Sequence, residues 1–200
     1  MSYAYGEQVE YEHSLIKLED LGKLQAFSCG NKKLDHFFHK ELIHEVNIYG
    51  IKEKMIDTDE GLPYKVVDKK TGDIIAVYSL AASGIFFEQT NHMQTIPALK
   101  IDVFAVDERY QKMHMDVESQ EEENPDEHRY LSDSIMCDVI SRCVKISQEY
   151  ATIRYIILYA DKKAKRFYER NLFNPFLEFM KKERRAEIAK NDPMYMELDV

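Results

Sequence analysis

The sequence predicts an α/β (α+β) fold, a mixed sheet with helices on both faces, and three observations point there. Residues 153–160, IRYIILYA, are almost wholly apolar and β-rich, as a strand covered on both faces would be. Leu34, Phe37, Phe38, Leu42 and Val46 recur at three- and four-residue spacing, the stripe of an amphipathic helix. Strand and helix signals then follow one another along the chain in the order expected of a layered α/β domain.

In chain order, residues 14–18 alternate weakly and read as a first strand. Cys29-Gly30-Asn31 reads as a turn and cap, opening a helix from 31 to about 49. Residues 63–68 and 73–82 bracket Lys70-Thr71-Gly72 and predict a hairpin. Residues 99–106 form a strand with Ile101, Val103 and Ala105 on one side. Ser132 can cap a helix carrying Ile135, Val139, Ile140, Cys143 and Val144 to about 149. After the 153–160 strand, Asp161 can cap a short helix through Arg170, and a final strand spans 194–198.

Length and composition fit one domain, residues 1–200, with a real core: 44% of residues are hydrophobic. No segment approaches the roughly 18 apolar residues of a membrane span. The N-terminal MSYAYGEQVEYEH lacks a basic-then-apolar order, so no signal peptide is expected. Cys29, Cys137 and Cys143 lack C-x-x-C spacing, which fits reduced thiols and a cytoplasmic protein. The net charge of −9 is uneven. Seven acidic groups fall within residues 116–127, and the exposed acidic insertion is taken as 116–128. Without it the chain is nearly neutral. Basic residues gather late, at Lys162, Lys163, Lys165, Arg166 and Arg170, then Lys181, Lys182, Arg184 and Arg185. Such blocks are usually solvated faces.

His36, His39 and His44 do not make a metal site, because the H-E-x-x-H spacing is absent and only His36 and His39 share a helical face. No metal is expected. Met113 and Met115 read as packing residues.

Four segments carry a family resemblance. They are F-S-C-G-N-K-K-L-D-H-F-F at 27–38, I-I-A-V-Y-S-L-A-A at 74–82, F-A-V-D-E-R-Y-Q at 104–111 and A-K-R-F-Y-E-R-N-L-F at 164–173. In this order they resemble the GCN5-related N-acetyltransferase superfamily, most closely the bacterial branch containing toxins of toxin–antitoxin pairs. The resemblance implies a mostly antiparallel central sheet whose two middle strands splay apart to admit the pantetheine arm of acetyl-CoA. By the same resemblance, backbone groups of Phe104, Ala105 and Val106 bind that arm, and one N–H faces the developing oxyanion. Gln111, Lys112, Met113, His114 and Met115 correspond to the diphosphate loop, and Tyr168 to the general acid near the sulfur.

Two departures accompany it. The family's loop runs Q/R-x-x-G-x-G, whereas here Lys112, His114 and Asp116 hold the glycine positions. Leu172 also stands where glycine is usual. Glycines permit positive φ and close approach to phosphate, so a glycine-free cradle must work otherwise. Lys112, Arg109 or Arg129 could supply charge instead.

A phenol of ordinary pKa near 10 is protonated at neutral pH and can donate to a leaving thiolate. Asp102, Glu88 and Asp107 earn no role as general base from the sequence, the last two being strand-end groups open to solvation. The expectation is an acetyl-CoA-dependent transfer to a primary amine, with an aminoacyl-tRNA, a protein or a small amine as acceptor. A second copy of the chain is an allowed partner. The alternative is a catalytically silent member of the fold that binds a partner.

Overall fold

The computed structural model describes residues 9–48, 50–56, 61–89, 92–114, 130–177 and 190–198. In order these form β1 (Tyr11–Leu15), α1 (Leu21–Leu24), α2 (Lys32–His36), β2 (Ile43–Ile48), β3 (Ile51–Ile56), β4 (Leu62–Asp68), β5 (Ile74–Gln89) and β6 (His92–Val106). Then come α3 (Leu131–Glu149), β7 (Tyr155–Asp161), α4 (Lys165–Arg170), β8 (Asn174–Pro175) and β9 (Asn191–Glu197). Seven strands make one sheet in the order β1-β4-β5-β6-β7-β9-β8. It is mixed and mostly antiparallel: β1–β4, β7–β9 and β8–β9 are antiparallel, while β6–β7 is parallel. No helix among the described residues is long and apolar enough to cross a membrane.

The chain divides into two compact units, Met1–Ser79 with Val103–Ile135, and Leu80–Asp102 with Met136–Val200. The first unit has its own apolar cluster, in which Ile16, Leu24, Phe27, Phe38, Leu42, Ile74, Val77 and Ala105 are buried. Phe27 and Phe38 meet edge to face with centroids 5.3 Å apart. Asp20, 4% exposed, accepts from the Lys17 N–H at 2.8 Å and pairs with Lys65, so this buried carboxylate has charged company.

Several expected boundaries move. The first strand lies at Tyr11–Leu15, and residues 18–20 form a 3-10 turn held by Asp20. The helix expected over 31–49 stops early. Asn31 does cap it, accepting from the Lys33 N–H at 3.1 Å, but α2 passes into one π turn at Phe37–Glu41. Residues 43–48 then form β2, paired with β3 across a turn in which Gly50 has φ 84°. Leu42 and Val46 sit four apart in a helix, yet Val46 also fits the alternation of His44-Glu45-Val46-Asn47-Ile48, and the glycine turn decided for strand.

The hairpin expected from 63–68 and 73–82 forms as β4 and β5, with β5 running on to Gln89. Its turn places Gly72 at φ 73°, with the Gly72 N–H on the Asp68 carbonyl at 2.8 Å and the Lys70 N–H on Asp68 Oδ1 at 2.7 Å.

In the second unit, β7 pairs with β6 from Ala98↔Tyr155 to Ile101↔Leu158 and with β9 from Tyr155↔Glu197 to Asp161↔Asn191. Ile156 and Ala160 are wholly buried. Among the described residues the β6–β7 register ends at Ile101↔Leu158, so Phe104, Ala105 and Val106 lie beyond it along β6.

Ser132 does not cap α3. The helix begins at Leu131, two residues before the start a Ser132 cap would set, and the Asp133 carboxylate accepts from the Tyr130 N–H at 2.9 Å. An acid at the third helical position thus satisfies the N–H of the cap residue itself, a different donor from those a capping hydroxyl would take. Asp161 likewise heads a turn rather than α4 itself. Its Oδ1 takes the Lys163 N–H at 2.9 Å and its carbonyl the Ala164 N–H at 2.8 Å before the helix starts at Lys165.

Candidate active site

In the first unit the strand end and loop at 104–114 are built against the segment at 27–35. Ala105 and Val106 are 4% and 7% exposed and finish β6. The Asp107 N–H donates to the Ile75 carbonyl at 2.9 Å, and the Glu108 N–H to the Ser28 carbonyl at 2.8 Å. A helical turn follows, with the Tyr110 and Gln111 N–H groups both on the Asp107 carbonyl and the Met113 N–H on the Tyr110 carbonyl at 3.1 Å.

Asp107 is the keystone of this turn, which corrects its reading as a solvated strand-end group. It is 2% exposed. Its carboxylate accepts from the Arg109 N–H at 3.0 Å, Arg109 Nε at 2.8 Å and the Ser28 N–H at 3.3 Å. Arg109 also reaches Asp73 at 3.1 Å, so its charge, counted above as available to phosphate, is matched by two carboxylates.

The facing segment explains its own motif. Asp35 accepts from the Cys29 N–H at 2.8 Å and from the Ser28 hydroxyl at 3.0 Å, closing the turn. Gly30 has φ 75°, and a Cβ there would stand 2.6 Å from Glu108 Oε1. Its conformation calls for glycine, whereas the close approach is to the end of a flexible side chain that can swing aside. Burial is the main reason the Cys29 thiol is pushed up to about 11, with Asp35 adding to it, so this thiol is protonated at neutral pH.

Of the loop residues singled out in the sequence, Gln111 turns its amide onto the backbone, donating to the Val106 carbonyl at 2.8 Å and the Cys29 carbonyl at 2.9 Å. Lys112 is exposed and Met113 half-buried. His114 forms a bridge with Tyr130, their rings 4.7 Å apart, and the Leu131 N–H meets the Met113 carbonyl at 2.8 Å. Met115, the acidic insertion, Arg129, Lys181, Lys182, Arg184 and Arg185 lie outside the described residues.

In the second unit Tyr168 sits on α4 and is 7% exposed. The helix ends in a Schellman arrangement: the Phe173 N–H returns to the Tyr168 carbonyl at 3.0 Å and the Leu172 N–H to the Glu169 carbonyl at 3.1 Å. The residue between the helix cap and Phe173 must be left-handed, and Leu172 is so, at φ 68°. Phe173, itself buried, meets Tyr168 edge to face at 5.9 Å, and Phe167 does so at 5.1 Å. Burial foremost, then the Asp161 charge, pushes the Tyr168 phenol above its ordinary value of 10, so it remains an O–H donor through neutral pH. Asp102, on β6 of the same unit, is paired with Lys100, whose ammonium lies 5.7 Å from the Tyr159 ring centroid.

His36 pairs with Glu41 at 3.3 Å, and His39 Nε2 donates to the Phe27 carbonyl at 2.7 Å. Among the described residues no group of three or more His, Cys, Asp or Glu could hold a metal.

This architecture is shared with solved structures of bacterial toxins. A bacterial toxin structure superposes with TM-score 0.62 at 18% identity, covering 94% of this chain and 91% of that one. AtaTR bound with acetyl-CoA gives 0.59 at 14%, covering 94% and 93%. AtaT complexed with acetyl-methionyl-tRNAfMet gives 0.57 at 12%, covering 94% and 95%. No protein-family model matches the sequence, and no curated protein matches it.

Proposed function

We propose that the chain is an N-acetyltransferase that moves an acetyl group from acetyl-CoA to a primary amine, with an aminoacyl-tRNA as the acceptor class. The observation that carries this reading is the likeness in fold, over 94% of the chain, to a toxin complex holding acetyl-CoA. In the proposed reaction the amine nitrogen attacks the thioester carbonyl, the tetrahedral intermediate expels the thiolate, Tyr168 gives that sulfur its proton, and the proton shed by the nitrogen as it becomes an amide passes to solvent, from which the phenolate is reprotonated. Backbone groups of Phe104, Ala105 and Val106 take the pantetheine arm. Tyr168 is an O–H donor at neutral pH, but the burial that raises its pKa also makes its proton harder to give, so the role of acid rests on the helix motif and not on the shift.

Calorimetry with acetyl-CoA and the Tyr168→Phe variant test the reading together. Heat is expected with acetyl-CoA at about 1 mM, where a binding free energy near −4 kcal/mol half-fills a site. Tyr168→Phe should keep that affinity and lose roughly 10²- to 10⁴-fold in turnover. Because its pKa is raised, wild-type turnover should show no alkaline decline from this group below about pH 10. A folded protein that takes up no coenzyme sinks the reading, and a Phe variant as fast as wild type removes Tyr168 as the acid.

A second reading, a silent member of the fold, draws support from the loop. The N–H groups of residues 107–111 and 113 are all spent on the protein's own acceptors. The calorimetric experiment separates the two.

A further inference from the structure

We infer that Lys100 is a specificity-determining residue: by occupying Asp102 it turns charged amines away and admits acceptors whose amino group is uncharged near neutral pH. This rests on the acetyltransferase reading above. Asp102 is the sole carboxylate of β6 and stands two residues before the stretch assigned to the pantetheine arm. Among the described residues the β6–β7 register ends at Ile101↔Leu158, so Asp102 and Tyr159 are the first residues of the two strands past the last pair. Leu99, Ile101, Ile156 and Leu158 share one side there, and all four are buried. Lys100, Asp102 and Tyr159 share the other side, where Tyr159 is 43% exposed. An acceptor arriving from solvent on that side meets these three groups.

The carboxylate is not free to receive a cation. Asp102 is paired with Lys100, the acid side chain 9% and the lysine side chain 29% exposed. The ammonium also lies 5.7 Å from the Tyr159 ring centroid, and the ring face helps to hold it beside the acid. An incoming ammonium therefore finds its counter-charge taken and a like charge next to it, in a place that water screens poorly. An uncharged amine meets no such opposition. With ordinary pKa values of about 7.8 and 10.4, about a third of α-amino groups but only about one lysine side chain in a thousand are uncharged at about pH 7.5. The arrangement favours the α-amino group of an aminoacyl ester over the ε-amino group of a protein lysine.

Acetyl transfer to an aminoacyl-tRNA and to a lysine peptide blocked at its N-terminus tests this, with wild type, Lys100→Met and the Lys100→Met/Asp102→Asn double variant. Lys100→Met should raise kcat/KM for the lysine peptide by about tenfold or more, and the double variant should lose that gain. A second readout needs no coenzyme. Butylammonium, which carries the lysine head group, should bind Lys100→Met saturably in an NMR titration, and neither wild type nor the double variant should bind it. Lys100→Ser, which leaves room for water about the carboxylate, takes the place of Lys100→Met if that protein does not fold. Butylammonium bound equally by wild type overturns the inference, as does a gain that survives in the double variant. Wild-type protein that takes up no acetyl-CoA removes the acetyltransferase reading and this inference with it. An active wild type whose Lys100 variants gain nothing on the lysine peptide removes this inference alone.

Discussion

The loop after β6 and the turn after α4 both stand where the resembling family carries glycine, and they have departed from it in opposite ways. At 112 and 114 the chain changed the backbone. Lys112 and His114 have ordinary negative φ, and the turn is held by Asp107, by Gln111 and by the bridge to Tyr130. At 172 the chain kept the backbone and changed only the side chain. Leu172 occupies the left-handed conformation that the two returning hydrogen bonds demand. Such a conformation costs an L-residue roughly 1–2 kcal/mol, and it persists because Phe173 must come back over Tyr168. A missing glycine in a motif therefore has two structural meanings, and substitutions tell them apart.

The largest effect is expected at Asp107. Alanine there strips the acceptor from the Ser28 and Arg109 N–H groups in a site 2% exposed. Each buried group so orphaned costs about 1–3 kcal/mol, so a loss of about 3 kcal/mol is expected in urea unfolding. Asn, which keeps one oxygen, should recover part of it. An Asp107→Ala variant within about 0.5 kcal/mol of wild type would mean that side chains do not hold this loop.

How much of this was legible differs between the two regions for a physical reason. The Schellman turn is local: its bonds span residues 168–173, and the family's helix motif with leucine in the glycine place already marked the position. The loop's supports come from Ser28, Cys29 and Asp73, distant in sequence, and nothing in V-D-E-R-Y-Q announces them. The segments at 27–38 and 104–111 were read as separate signatures. They are two halves of one contact, in which Asp35 shapes the turn that Glu108 and Gln111 bind.

Order and type of most elements followed from apolar spacing and turn residues. The β2–β3 hairpin did not, because its apolar positions satisfy a helical and a strand period at once. The caps expected at Ser132 and Asp161 fall at Tyr130 and Ala164, two and three residues away, since a carboxylate in the first turn or in the preceding turn can hold the backbone in place of a capping side chain.

A smaller effect sharpens the contrast at residue 172. Leu172 is 77% exposed, so Leu172→Gly gives up little burial and removes the left-handed strain. Against that, glycine adds unfolded-chain entropy of roughly 0.5–1 kcal/mol. A net gain of about 0.5–1 kcal/mol is expected, seen as a rise of about 1–4 °C in melting temperature. A destabilised variant would show that the leucine side chain makes a contact outweighing its backbone.

The smallest effect runs the other way and completes the comparison. Lys112 is exposed and its φ is not positive, so glycine there relieves no strain and removes no packing. Only the entropy of the unfolded chain changes, and Lys112→Gly should lose about 0.5–1 kcal/mol by the same denaturant measurement. Two restorations of a family glycine would then carry opposite signs in one protein. Should Lys112→Gly stabilise as Leu172→Gly does, the loop must hold a conformation that glycine favours, and the side-chain account of its shape would fail at that residue.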